Sequence, residues 1–155
     1  MYPPDQPGTG AGAVNWASAI LPYCGNSQEF LCPSDAVITG SIVFPDASPV
    51  THSSYGRNSY MGTPGLSDRE ITYPAEMLGL MDAVSYSIPY DASLVSVRAH
   101  ITADGTAATA RHSGGCNQTY MDGHVKWIAF EDISDPDGGK PPAKSPAKHY
   151  WQGRD

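Results

Sequence analysis

Two strand-like runs, Cys116-Asn-Gln-Thr-Tyr-Met121 and His124-Val-Lys-Trp-Ile-Ala-Phe130, are joined by Asp122-Gly123. An Asp-Gly step between such runs is among the strongest short-range hairpin signals, because a type I′ turn needs positive φ at both central residues. It commits this part of the chain to antiparallel pairing. A two-residue turn at Asp122-Gly123 sets Met121 opposite His124, Tyr120 opposite Val125 and Gln118 opposite Trp127. Tyr120, Val125 and Trp127 then share the expected core face, and His124, Lys126 and Ile128 point the other way.

The rest of the chain is punctuated by 16 Gly and 14 Pro in 155 residues, which leaves little room for long helices. The length suits one domain, so the expectation is a loop-rich body with short strands. Asn15 can cap a short helix that Pro22 stops, with Trp16, Ile20 and Leu21 on one side. Val37 to Phe44 reads as a strand interrupted at Gly40. The octet Ala75 to Asp82 fits a helix or a buried strand equally well. Between 83 and 111 the pattern alternates weakly, with Leu94, Val95 and Val97 the expected buried positions and a turn at Ala103 to Thr106. Residues 1–139 form the expected globular domain. Residues 140–155 form the expected Pro/Lys-rich tail, in which Lys140 to Lys148 repeats Pro-Ala-Lys and reads as extended, and whose Tyr150-Trp151 can dock back.

Charge narrows the partners. The net charge of −7 divides into 5 Lys/Arg against 15 Asp/Glu over residues 1–139 (−10) and 4 against 1 over 140–155 (+3). An acidic body argues against nucleic acid, which needs a basic footprint, and favours hard divalent cations. No apolar run approaches the ~20 residues that span a bilayer, so no membrane span is expected in this chain. Cys24, Cys32 and Cys116 permit one disulfide with a thiol left over, or three free thiols. A Cys24–Cys32 bridge would close a small loop in an oxidising compartment. Without a Cys-x-x-Cys pair, a structural zinc site or a thioredoxin-like role has little sequence support.

Three groups carry candidate chemistry. His112, Asp122 and His124, with His100 as a third imidazole, offer ligands for a transition metal, although turn geometry alone accounts for Asp122-Gly123. Asp132, Asp135 and Asp137 beside Gly138 offer hard oxygen donors for Ca²⁺, at a spacing unlike an EF-hand. Tyr55, Arg57 and Tyr60 offer an aromatic binding surface, or simply pack beneath a loop. The chain has no Gly-x-Ser-x-Gly elbow and no phosphate-cradling glycine loop, and its Ser145-x-x-Lys148 match falls in the tail.

Arg111 to Trp127, with His112, nine residues and then Asp122-Gly123, resembles the C-terminal signature of a large family of prepilin-type proteins similar to the pseudopilins of type II secretion. Trp16 to Tyr23 followed by Phe30-Leu-Cys-Pro-Ser34 resembles the family's Trp…Leu-Pro-Tyr…Phe-x-Cys-Pro-Ser stretch. Ser54-Tyr-Gly-Arg-Asn58 resembles its Ser-Tyr-x-x-Asn, and Pro74-Ala-Glu76 through Asp82 its Pro-Ser/Ala-Glu strand ending in Asp. The resemblance covers about residues 16–130. It implies an α+β, pilin-like head with short helices and a small antiparallel sheet, makes 75–82 a strand, and implies a place in the periplasm or at the cell surface. The family's leader and hydrophobic N-terminal helix are not in this sequence, and the opening Met-Tyr-Pro-Pro reads as though something upstream has been removed. Contacts with other pilin-like subunits are expected through that helix, and relatives often carry on it a cysteine able to partner Cys32. The function expected is a structural or assembly component of a secretion or pilus-like system, with a Ca²⁺ in the acidic loop by analogy with the major pseudopilins. The alternatives are a calcium- or metal-dependent hydrolase of small esters or lactones, and an adhesin-like binding module.

Overall fold

Asn15 opens the first helix, α1 (Trp16–Cys24), by accepting a hydrogen bond from Ser18 N on its side chain. Pro22 does not stop this helix. It removes only one backbone donor, and the end comes at Gly25, whose φ of 85° takes the chain out of helical geometry. The computed structural model describes residues 15–35, 42–44, 49–62, 67–90, 94–133 and 147–153. Within them lie the strands β1 (Ile42–Val43), β2 (His52–Ser53), β3 (Tyr55–Asn58), β4 (Leu78–Asp82), β5 (Ser87–Ile88), β6 (Gly115–Tyr120) and β7 (Val125–Ala129). Two further helices are α2 (Leu94–Ile101) and α3 (Ala147–Gln152). The protein is a small, loop-rich α+β structure.

The main sheet runs in the order β5-β3-β4-β6-β7, and β1 pairs separately with β2. All pairs are antiparallel except β3 with β5, which run parallel. The octet at 75–82 resolves into a turn followed by β4, and residues 37–41 of the expected first strand lie outside the described residues. One face of the sheet is covered by a core that includes Val97, Ile101, Phe130, Tyr150 and Trp151. The other packs against Trp16, Ala17, Phe30, Phe44 and Val50. Segment 94–101 is helical, with Val97 and Ile101 buried four residues apart, so Val95, expected inside, is 80% exposed.

The hairpin forms with a register one residue from the expected one. Thr119 lies opposite Val125, Asn117 opposite Trp127 and Cys116 opposite Ile128. The connection is a three-residue loop, Met121 to Gly123, closed by Gly123 N–H to Tyr120 O, with Gly123 at φ 92°. A loop of this kind takes positive φ at its last residue only and so shifts the pairing by one. That shift moves every β7 side chain to the opposite face. Val125 (64% exposed) and Trp127 (47%) therefore lie off the core, while Ile128 packs against it beside buried Cys116 and Tyr120. Trp127 is anchored differently. Its Nε1 donates to His112 O (2.8 Å) and its ring lies over Gly115, where a Cβ would collide with it.

The C-terminal segment closes the core. Tyr150 and Trp151 are buried, Tyr150 Oη donates to Gln118 Oε1 (2.8 Å), and Gly153 O accepts from Thr72 N and Tyr73 N. The sequence places Ala147 and Lys148 in an extended tail, but they begin α3. Residues 140–146 lie outside the described residues.

Candidate functional site

The residues that define the site come from two loops and the end of β4, brought together where β4 lies beside β6. Cys32 follows a short 3₁₀ turn at Ser27–Phe30, Asp82 ends β4, and His112 precedes the bend into β6. Their side chains converge. His112 Nε2 lies 3.5 Å from Cys32 Sγ and 3.3 Å from Asp82 Oδ2, and all three donor atoms fall within 4.8 Å of one another. Asp82 is 3% exposed at its side chain and His112 24%, so the cluster is reached from solvent on the histidine side. Asn117 N–H donates to Asp82 Oδ2 (2.7 Å), which fixes that carboxylate against β6. Asp82 Oδ1 is buried with no hydrogen-bond partner among the described residues. An orphaned carboxylate oxygen in a low-dielectric interior is costly and calls for a physical reason.

A cationic arm runs alongside. Arg111 donates to Ser54 O and to Ala83 O (2.8 Å) and pairs with Asp35 at 2.9 Å, and Ser54 Oγ donates to the same Asp35 carboxylate (2.8 Å). Tyr55 hydrogen-bonds Cys32. Burial first, then neighbouring Cys32 and Asp82, push its phenol up to about 12, so it remains a neutral donor. Burial likewise raises Cys116 to about 12, making it an inert core thiol. The three cysteines are unbridged, so the Cys24–Cys32 disulfide open to the sequence is not formed.

The expected transition-metal set of His112, Asp122, His124 and His100 does not assemble. Asp122 and His124 pair with each other at the hairpin tip, His124 Nδ1 donating to Asp122 Oδ1 at 2.6 Å. His112 sits at the far end of the six-residue β6, roughly 20 Å away at the usual strand rise. His100 binds its own helix through Nδ1 and Ser96 O (2.7 Å). Asp132 is exposed in a short 3₁₀ turn, and Asp135 and Asp137 lie outside the described residues. In the tyrosine island Tyr60 and Arg57 are buried. Asn58, which ends it, donates to Leu78 O (3.0 Å) and Trp151 O (2.7 Å), so the motif ties β3 to β4 and α3.

An apolar groove of about 400 Å³ lies between α1 and the sheet, lined in part by Trp16, Ile20, Leu80 and Val125, and it reaches Tyr55 and Asn117, which touch the cluster. Among the described residues its lining includes one carboxylate, Glu29, and no histidine, so the groove itself offers little chemistry. The convergent polar groups mark the Cys32–Asp82–His112 cluster as the chemical site. Sequence reasoning missed this grouping, because its members are 50 and 30 residues apart and form no local motif.

No family model, curated protein sequence or solved structure matches this chain.

Proposed function

We propose that this protein is a structural or assembly component of a type II secretion or pilus-like system, a pseudopilin-like domain acting in the periplasm or at the cell surface. One observation carries the reading. The segments that resemble the prepilin-type pattern are used for contacts within the fold, and three of them meet at the end of β4. His112 and the Cys32-Pro-Ser segment meet Asp82 at the end of β4. Ser54 accepts Arg111 through its carbonyl and donates to Asp35, and Asn58 cross-links three elements. Asp122 caps the turn that its glycine makes. Residues spent in this way suit a scaffold whose work is assembly. No helix among the described residues is long and apolar enough to cross a membrane, and contact with other pilin-like subunits would run through a segment outside them.

A hydrolase built on His112, Asp122 and His124 lacks support from the geometry, since β6 separates them. An adhesin reading lacks it too, since the tyrosine island is largely interior.

The test is the native gene product in its host. Antibody against the domain should find it in the envelope fraction and in sheared surface filaments or a secretion complex, with a peptidase-processed N-terminus by mass spectrometry. A purely cytosolic protein, or a purified one that hydrolyses esters or lactones and loses that activity in His112→Ala, would overturn the proposal.

A further inference from the structure

We propose that Cys32, Asp82 and His112 form a binding site for a zinc-class divalent metal ion, with the fourth coordination position open.

The geometry points away from the other chemistry such a trio suggests. In a nucleophilic triad the imidazole uses its two nitrogens on different partners, one toward the nucleophile and one toward the carboxylate. Here one nitrogen, His112 Nε2, faces both Cys32 Sγ and Asp82 Oδ2. That is how ligands stand around a common centre. The separations of His112 Nε2 from the other two donors agree. Tetrahedral zinc with Zn–S about 2.3 Å and Zn–N and Zn–O about 2.0 Å requires S···N of about 3.5 Å and N···O of about 3.3 Å. The observed separations are 3.5 and 3.3 Å.

A second observation is independent of these distances. Asp82 Oδ1 is buried with no hydrogen-bond partner among the described residues, so the carboxylate whose Oδ2 faces His112 lacks compensation that a cation held against it would supply. The donor set selects the ion. A thiolate with an imidazole and one carboxylate suits zinc and its borderline neighbours, whereas calcium and magnesium take oxygen ligands alone. Arg111 opposes a cation here, but its charge is met by Asp35 at 2.9 Å. Asn117 N–H holds the carboxylate in place, and the partial exposure of His112 leaves a way in.

Binding forms a metal–sulfur bond and releases the Cys32 thiol proton to solvent, so affinity rises with pH. The ion would tie three segments far apart in sequence and stabilise the fold by mass action. This inference does not rest on the assembly reading and survives its failure.

The experiment uses untagged, reduced, chelator-stripped protein titrated with Zn²⁺ or Co²⁺. The expected result is one equivalent bound and a cobalt spectrum with a sulfur charge-transfer band and tetrahedral d–d bands. Zn²⁺, but not Ca²⁺, should raise the melting temperature. Cys32→Ser and His112→Ala should each weaken zinc binding more than about 100-fold, beyond the 10–100-fold typical of losing a group that only orients a ligand. His124→Ala should bind like the wild type. Should the ligand variants fail to fold, alkylation of the wild-type protein decides, with Zn²⁺ slowing modification of Cys32 and not of Cys24. Absence of stoichiometric binding, unchanged affinity in Cys32→Ser, loss of binding in His124→Ala, or no protection of Cys32 would each overturn the proposal.

Discussion

The two ends of β6 hold the same pair of side chains in opposite settings. At one end Asp82 and His112 stand 3.3 Å apart with side-chain exposures of 3% and 24%. At the other, Asp122 and His124 stand closer, at 2.6 Å, with exposures of 36% and 43%. The tighter pair is the less consequential one. Water solvates both its partners whether or not they meet, and an exposed pair contributes little. The looser pair has been taken out of water with a thiol beside it, so each partner depends on the others. What distinguishes a site from a turn in this protein is desolvation and convergence, and pairing distance alone misranks the two.

The sharpest way to break the comparison is to remove one carboxylate at a time. Asp82→Ala should destabilise the fold by about 3 kcal/mol, because removing a buried acceptor leaves the groups that hydrogen-bond it unsatisfied. Asn117 N–H is one of them. Urea denaturation should show it as a lower midpoint with an unchanged slope. An effect below about 1 kcal/mol, the ordinary range for an exposed pair, would put the cluster on the same footing as the hairpin tip.

Glycines extend the same contrast to the backbone. A Cβ at Gly115, beside the cluster, would collide with Ile128 O and with the Trp127 ring. The carbonyl belongs to a strand and cannot move aside, so Gly115→Ala should cost about 2 kcal/mol. It should also disturb the Trp127 Nε1 to His112 O bond, read as a change in tryptophan fluorescence. A Cβ at Gly123, at the tip, meets nothing within 4 Å, and only its φ of 92° opposes a side chain. Gly123→Ala should therefore cost about 1 kcal/mol of backbone strain, with the fluorescence unchanged. Equal losses at the two positions would sink the contrast.

Much of the scaffold was legible in local chemistry. Asn15 as a cap, Asp122-Gly123 as a hairpin connection and Tyr150-Trp151 as a docking pair each follow from residues a few positions apart. The register was not legible, because two-residue and three-residue loops accept the same Asp-Gly pair and differ by one position. That single step decides whether Trp127 faces the core. Alternation gave no warning that 94–101 is a helix. Its short apolar pattern, Val95, Val97 and Ile101, suits either period over so few residues. The cluster was least legible of all. Cys32, Asp82 and His112 each look ordinary in sequence, and what joins them is the antiparallel placement of β4 beside β6, a long-range consequence of the fold. The prepilin-type resemblance includes all three residues in separate segments without saying that they touch.

The smallest effect tests the tip itself. Hydrogen bonds to Asp122, first from the His124 backbone N–H and then from its ring, hold the carboxyl below its ordinary value of 3.8. A folded-state pKa lowered in this way adds stability that is fully present above the unfolded value and disappears as pH falls through the folded one. Asp122→Asn keeps an oxygen for the His124 N–H but loses the charge. The wild type should thus be slightly more stable than Asp122→Asn at neutral pH, and the difference should shrink as pH falls below 3.8 and vanish only below the lowered folded-state value. Denaturation of the two proteins across that range measures it directly. A difference that instead grew on acidification would mean that the tip carboxyl is strained rather than supported, and that the exposed pair is working against the turn it closes.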